Sequence, residues 1–137
     1  MNTNAISISA TIKADQSKVW EYYTQPKHIT RWNFADPSWH CPKAKNDLEV
    51  GGTYFARMEA KDGSYGFDFD AVYIQMDAGT SFTFEFEGRK CRVELTEAEN
   101  KTQITVTFDP EDQNPTEMQE QGWQAILNNF KAYTESN

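Results

Sequence analysis

The chain is poor in cysteine, histidine and positive charge, and it has no long apolar run. Each shortage removes a class of function. Cys41 and Cys91 are too few and too far apart for a disulfide framework, so two reduced thiols in a cytoplasmic protein are expected. His28 and His40 are the only histidines. Neither forms a Cys–His spacing of the zinc type, so no metal and no cofactor is expected. His28, beside Lys27 in a short helical stretch, should face solvent. A nucleophile pair of Cys41 with His28 or His40 lacks a third group to orient it. A net charge of −8 opposes binding to nucleic acid or anionic lipid. No segment approaches the roughly 20 apolar residues of a membrane helix, so no membrane insertion is expected. The polar opening Met1-Asn2-Thr3-Asn4 should not act as a signal peptide. P-loop, dinucleotide-glycine and G-x-S-x-G patterns are all missing, and no catalytic residue is assigned.

What the chain does have is aromatic bulk: nine Phe, six Tyr and four Trp in 137 residues. That length suits one domain, residues 1–137, with a real core. Ala5 to Lys13 alternates Ile6, Ile8, Ala10 and Ile12 against polar residues, a strand with one buried face. Asp15 reads as the N-cap of a short helix carrying Val19, Trp20 and Tyr23, which ends before Pro26. A second short helix runs from Pro26 to about Trp32. Asn33 to Lys45 is too irregular for either element, and reads as a long aromatic loop placed like a lid. Gly51-Gly52 then leads into a strand with Tyr54, Ala56 and Met58 on one face. Asp62-Gly63 signals a hairpin. Phe67 and Phe69 share the next strand's inner face, opposite Asp68 and Asp70. Those carboxylates, with Glu85 and Glu87, read as the wet face of a sheet. A bulge is expected between Ala71 and Met76. Phe82, Phe84 and Phe86 alternate with Thr83, Glu85 and Glu87. Two more strands follow, through Cys91-Val93-Leu95 and Ile104-Val106-Phe108.

From Thr116 to Thr134 the period changes. Trp123, Ile126, Leu127 and Phe130 fall on one stripe at roughly 100° per residue, the mark of an amphipathic helix. Pro115 suits its start, and Glu117 and Lys131 suit its dipole. Gln119 projects onto the same stripe and Gly122 lies at its edge. Gln119 either caps a local hydrogen bond or orients a ligand, and Gly122 either admits a neighbour or leaves room. Antiparallel strands followed by a single long helix make an α+β domain. A strongly twisted sheet curls, and one helix cannot fill its concave side alone.

The element order and several motifs resemble the START-like superfamily, the helix-grip architecture of the birch-pollen-allergen type. Within it the chain is most similar to bacterial domains related to the C-terminal domain of the Hsp90 ATPase activator. The matching residues are Trp32, the run Asp47-Leu48-Glu49-Val50-Gly51-Gly52-Thr53-Tyr54, Met58, Asp62-Gly63, and Gly122-Trp123-Gln124-Ala125-Ile126-Leu127-Asn128-Asn129-Phe130. The resemblance implies a curved antiparallel sheet of six to seven strands gripping the last helix around a cavity. It carries over no catalytic residues. Glu49 and the run Thr53-Tyr54-Phe55 depart from relatives that are more basic there. The separate N-terminal domain of the eukaryotic activator is not expected here, so chaperone activation is the weaker implied role.

The candidate cavity residues are Trp32, Phe34, Trp39, Tyr54, Phe67, Phe69, Phe84, Gly122, Trp123, Ile126 and Leu127. Tyr54, Arg57, Tyr73 and Gln119 are the groups expected to orient a ligand within it. The first functional reading is non-enzymatic binding of a small apolar or aromatic molecule between sheet and terminal helix. A protein-interaction or chaperone-associated module is the second, and an enzyme of the START-like type the third. A homodimer is compatible with all three.

Overall fold

The computed structural model describes residues 4–137. The reading of Met1 to Thr3 as no export signal lies outside the described residues. Strand β1 (Ile6–Ile12) is followed by two short helices, α1 (Gln16–Thr24) and α2 (Pro26–Trp32). Six strands come next: β2 (Trp39–Asn46), β3 (Thr53–Ala60), β4 (Gly66–Asp77), β5 (Ser81–Phe86), β6 (Arg89–Ala98) and β7 (Lys101–Phe108). Helix α3 (Thr116–Ser136) closes the chain. The strands form one antiparallel sheet in the order β1-β7-β6-β5-β4-β3-β2. It curls into a half-barrel around α3, the helix-grip arrangement of an α+β fold.

The local chemistry explains the corners. Asp15 caps α1 by accepting from the Lys18 amide at 2.8 Å, satisfying one of the helix's free donors. Glu87-Gly88 and Glu99-Asn100 hold positive φ, as the tightest hairpin turns require. Gly51 also has positive φ, and a Cβ on Gly52 would collide with the Asp47 carbonyl. This turn docks on β4, where the Gly51 amide donates to the Tyr73 carbonyl and the Tyr73 amide to that of Gly52. The expected bulge is present, with the β4–β5 register shifting between Tyr73 and Gln75.

Two expectations fail. The aromatic loop from Asn33 to Lys45 is not a lid, because its second half is edge strand β2. Pro42 hid this strand. It falls where the β2–β3 register shifts between His40 and Lys43, and an edge or a bulge tolerates a residue without an N–H. The first half is tied as well, since Asn129 Nδ2 donates to the Phe34 carbonyl at 2.6 Å. His28 does not face solvent. Its side chain is only 13 % exposed, stacked on Tyr22 at 3.9 Å and hydrogen-bonded to the Tyr133 hydroxyl at 2.7 Å.

The core is thickest where α1, α2 and the C-terminal half of α3 meet the sheet. Phe130 is fully buried there, with Tyr23 and Trp32 ring centroids at 4.9 and 5.1 Å. Val19, Ile29, Ile12 and Phe82 complete that end. Toward the start of α3 no further helix fills the concavity. There Trp123 lies flat on Phe108, centroids 3.9 Å apart.

Candidate functional site

Between α3 and the curled sheet lies a cavity of about 350 Å³. β3, β4 and β5 supply Tyr54, Met58, Phe67, Phe69, Phe84 and Phe86 to its wall. α3 supplies Gln119, Trp123, Ile126 and Leu127. Tyr23, Trp32 and Asn33 form the end below α1 and α2, while Arg89, Glu111 and Asn114 stand at the other. Alternation creates this wall, because every second side chain of a strand points inward. Rings on adjacent strands then touch, as Tyr54 does Phe84 at 5.3 Å and Phe69 does Phe86 at 4.9 Å.

Of the candidates read from the sequence, Trp32, Tyr54, Phe67, Phe69, Phe84, Gln119, Trp123, Ile126 and Leu127 line this space. Five do not. Phe34 holds α3 through its carbonyl instead. Trp39 packs against Tyr65 and Phe67 at the sheet edge, with centroids at 5.9 and 6.2 Å. Arg57 belongs to the polar face, with Nε 2.9 Å from Glu59 and Nη1 3.1 Å from Asp68. Tyr73 is buried below the wall and donates to Asn46 Oδ1 at 2.6 Å. Gly122 faces open space, where an added Cβ would meet nothing within 4 Å.

Gln119 lines the cavity but is already committed. Its Oε1 accepts from the Glu111 amide at 2.9 Å, and its Nε2 donates to the Glu111 and Asn114 carbonyls. It caps the 111–114 turn, and a ligand would have to compete with those bonds. Asp68 lies on the exposed side beside Arg57, away from the cavity.

The polar groups that sequence reading missed sit at the two ends. Asn33 donates from Nδ2 to the Tyr54 hydroxyl at 3.5 Å. Arg89 has a side chain 23 % exposed, its guanidinium 4.6 Å from the Phe86 ring centre and 3.4 Å from Glu87. Burial pushes the Tyr23, Tyr54 and Cys91 pKa values far up, so all three stay protonated at neutral pH. No sequence period marks Asn33 or Arg89. Only the meeting of a helix end with a strand, and of a hairpin with a turn, places them here. Among the described residues no group of three or more His, Cys, Asp and Glu is arranged to hold a metal ion.

The family described as Activator of Hsp90 ATPase homolog 1-like protein matches residues 13–135. The chain belongs to this family. A solution structure of the AHSA1-like protein from Aeromonas hydrophila is 39 % identical, with a TM-score of 0.91 over 96 % of this chain and 92 % of that one. The protein Chr148 from Cytophaga hutchinsonii is 47 % identical, with a TM-score of 0.84 over 98 % and 94 %. Protein CV1439 from Chromobacterium violaceum shares the fold at 21 % identity, with a TM-score of 0.85 over 96 % and 98 %. No curated protein matches the chain. In this family member the Gly51-Gly52 turn and the Gly122-Trp123 run each join two elements of the fold. The first anchors β3 to β4, and the second seats α3 over β7. Among the described residues no helix is long and apolar enough to cross a membrane.

Proposed function

We propose that this protein binds a small, largely apolar or aromatic molecule in the space between α3 and the sheet, without transforming it. The observation that carries the reading is the cavity itself. A site of roughly 150 Å³ holds one benzene ring, and small-molecule sites generally span about 300–1,000 Å³. A space of about 350 Å³ therefore suits a molecule of two or three rings. Its wall is mostly apolar, with eight aromatic side chains among the nineteen lining residues and the polar groups toward the ends, the pattern of an oriented but non-polar guest. Free, buried Cys41 and Cys91 suit a cytoplasmic setting.

A thermal-shift and native mass spectrometry screen of aromatic and lipid-like compounds tests the reading. At least one class should raise the melting temperature and appear as a mass adduct. Cys91→Phe and Ile126→Trp each add bulk to the wall, and should abolish that shift while the protein still unfolds cooperatively. If no class binds the wild type, the proposal is wrong.

A second reading, a chaperone-associated interaction module, draws on the family's description and on two apolar residues of β4. Val72 and Ile74 are 45 % and 43 % exposed. Its measure is the ATPase rate of a bacterial Hsp90 with and without the protein. An unchanged rate together with no retention on the chaperone ends that reading.

A further inference from the structure

Most buried or half-buried tyrosines in this protein have spent their hydroxyl. Tyr73 donates to Asn46 at 2.6 Å, Tyr133 is bonded to His28 at 2.7 Å, and Tyr22 reaches the Asn137 carbonyl at 3.4 Å. The two that line the cavity have not. Among the described residues the Tyr23 hydroxyl makes no hydrogen bond, although its ring is clamped by Trp32 and Phe130. The Tyr54 hydroxyl accepts one long contact from Asn33, and its own proton has no acceptor. Both belong to the same end of the cavity. Tyr23 stacks on Trp32, and the next residue in the chain, Asn33, reaches Tyr54. Neither phenol is sealed in the core, since among the described residues Thr134 Oγ1 is the one buried side-chain polar atom without a partner; both line the cavity, where a guest oxygen can take their protons.

From this we infer that the α2 end of the cavity is built to receive a neutral carbonyl oxygen, held by the phenol protons of Tyr23 and Tyr54. The ligand class is a flat aromatic ketone, quinone or related conjugated carbonyl compound. The inference rests on the cavity-binding reading above, and adds which end of the guest is polar and why. Charge decides between a carbonyl and a carboxylate. Among the described residues the single cation in the cavity wall is Arg89, beyond Phe86 at the opposite end and beside Glu87. A carboxylate seated at Tyr23 and Tyr54 would lose its water with no positive charge to replace it. A carbonyl loses far less, and gains two donors that burial keeps protonated. The Phe69, Phe84 and Trp123 rings leave the remainder of the guest an apolar, aromatic berth.

The experiment compares 9-fluorenone, fluorene and fluorene-9-carboxylate, flat probes that differ at one position. Binding is read from quenching of tryptophan fluorescence, and the fluorenone C=O stretch is recorded by infrared difference spectroscopy. Fluorenone should bind about tenfold more tightly than fluorene, the gain expected of a net hydrogen bond or two. Its C=O band should move to lower wavenumber on binding. Tyr23→Phe with Tyr54→Phe should erase both the preference and the band shift, so that fluorenone binds no more tightly than fluorene. Equal affinity for the two neutral probes in the wild type would overturn the inference while leaving the binding reading intact. So would a preference that survives both substitutions. Tighter binding of the carboxylate, lost in Arg89→Gln, would put the polar end at the other side and overturn it too. If none of the probes binds while other apolar compounds do, the carbonyl assignment falls alone. If nothing binds at all, both readings fall.

Discussion

The two halves of the interface between α3 and the sheet use the same kind of residue for opposite ends. In the C-terminal half, Phe130 and Thr134 are buried beneath α1 and α2, and the rings of Tyr23 and Trp32 close on Phe130 edge-first. From its start to its middle the helix offers Gln119, Trp123, Ile126 and Leu127, which leave a hollow against β3, β4 and β5. Composition does not separate the halves, since both are rich in aromatics. The difference is a third layer. α1 and α2 cover one end of the concave sheet and nothing equivalent covers the other. Ring against ring fills space only when a third surface presses them together.

That contrast can be broken by substitution, and the largest effect should come from the packed half. Phe130→Ala should cost about 3–5 kcal/mol, as aromatic truncations in a filled core do, read from the urea midpoint at constant m-value. Ile126→Ala, on the hollow side, should cost roughly half as much, because that side chain already borders empty space. Equal losses would show that the two halves are packed alike. Gly122→Ala should work in the other direction, stabilising by about 1 kcal/mol. Its added methyl meets nothing within 4 Å while the helix loses a flexible residue. A drop in stability there would mean that something closes on that face. Tyr23→Phe should change stability by less than about 1 kcal/mol, because the hydroxyl it removes opens on the cavity and bonds to no protein group among the described residues. A clear loss would reveal a partner for the hydroxyl in the free protein.

The smallest effect concerns pH, at the packed end. Burial, then Lys27, lowers the His28 pKa below its usual value, against the opposing pull of Glu21. The folded protein therefore resists protonation more than the unfolded chain does. Its contribution is fully present above the ordinary imidazole pKa of about 6.5, and is lost as pH falls below that toward the lower folded value. Thermal melts between pH 7.5 and 5.5 should show this slope, and His28→Gln should flatten it. A slope of unchanged size in the variant would assign the acid sensitivity to other groups.

Much of the architecture was legible before any coordinates. Strands of period two, a helix of period near 3.6, the Asp15 cap and the glycine-bearing turns are all local events, and local chemistry names them. The strand that escaped notice, β2, was masked by Pro42 for an equally local reason. A proline at an irregular edge mimics a loop, and only pairing with β3 tells the two apart. The site was legible by half. Inward-facing rings such as Tyr54, Phe69, Phe84 and Trp123 follow from alternation. Arg57 and Tyr73 were misassigned because a sequence period names a face and not what stands opposite it. Arg57 meets Glu59 and Asp68, and Tyr73 meets Asn46.

By itself, then, the amino-acid sequence determined which residues form strands and helices, and which side of each is apolar. Tertiary structure alone decided how far the apolar surfaces meet. Burial pulls every ring inward without direction, but the curl of the sheet and the reach of two short helices set where the rings run out of neighbours. The hollow, and the unspent phenol protons of Tyr23 and Tyr54 in its wall, are consequences of that shape.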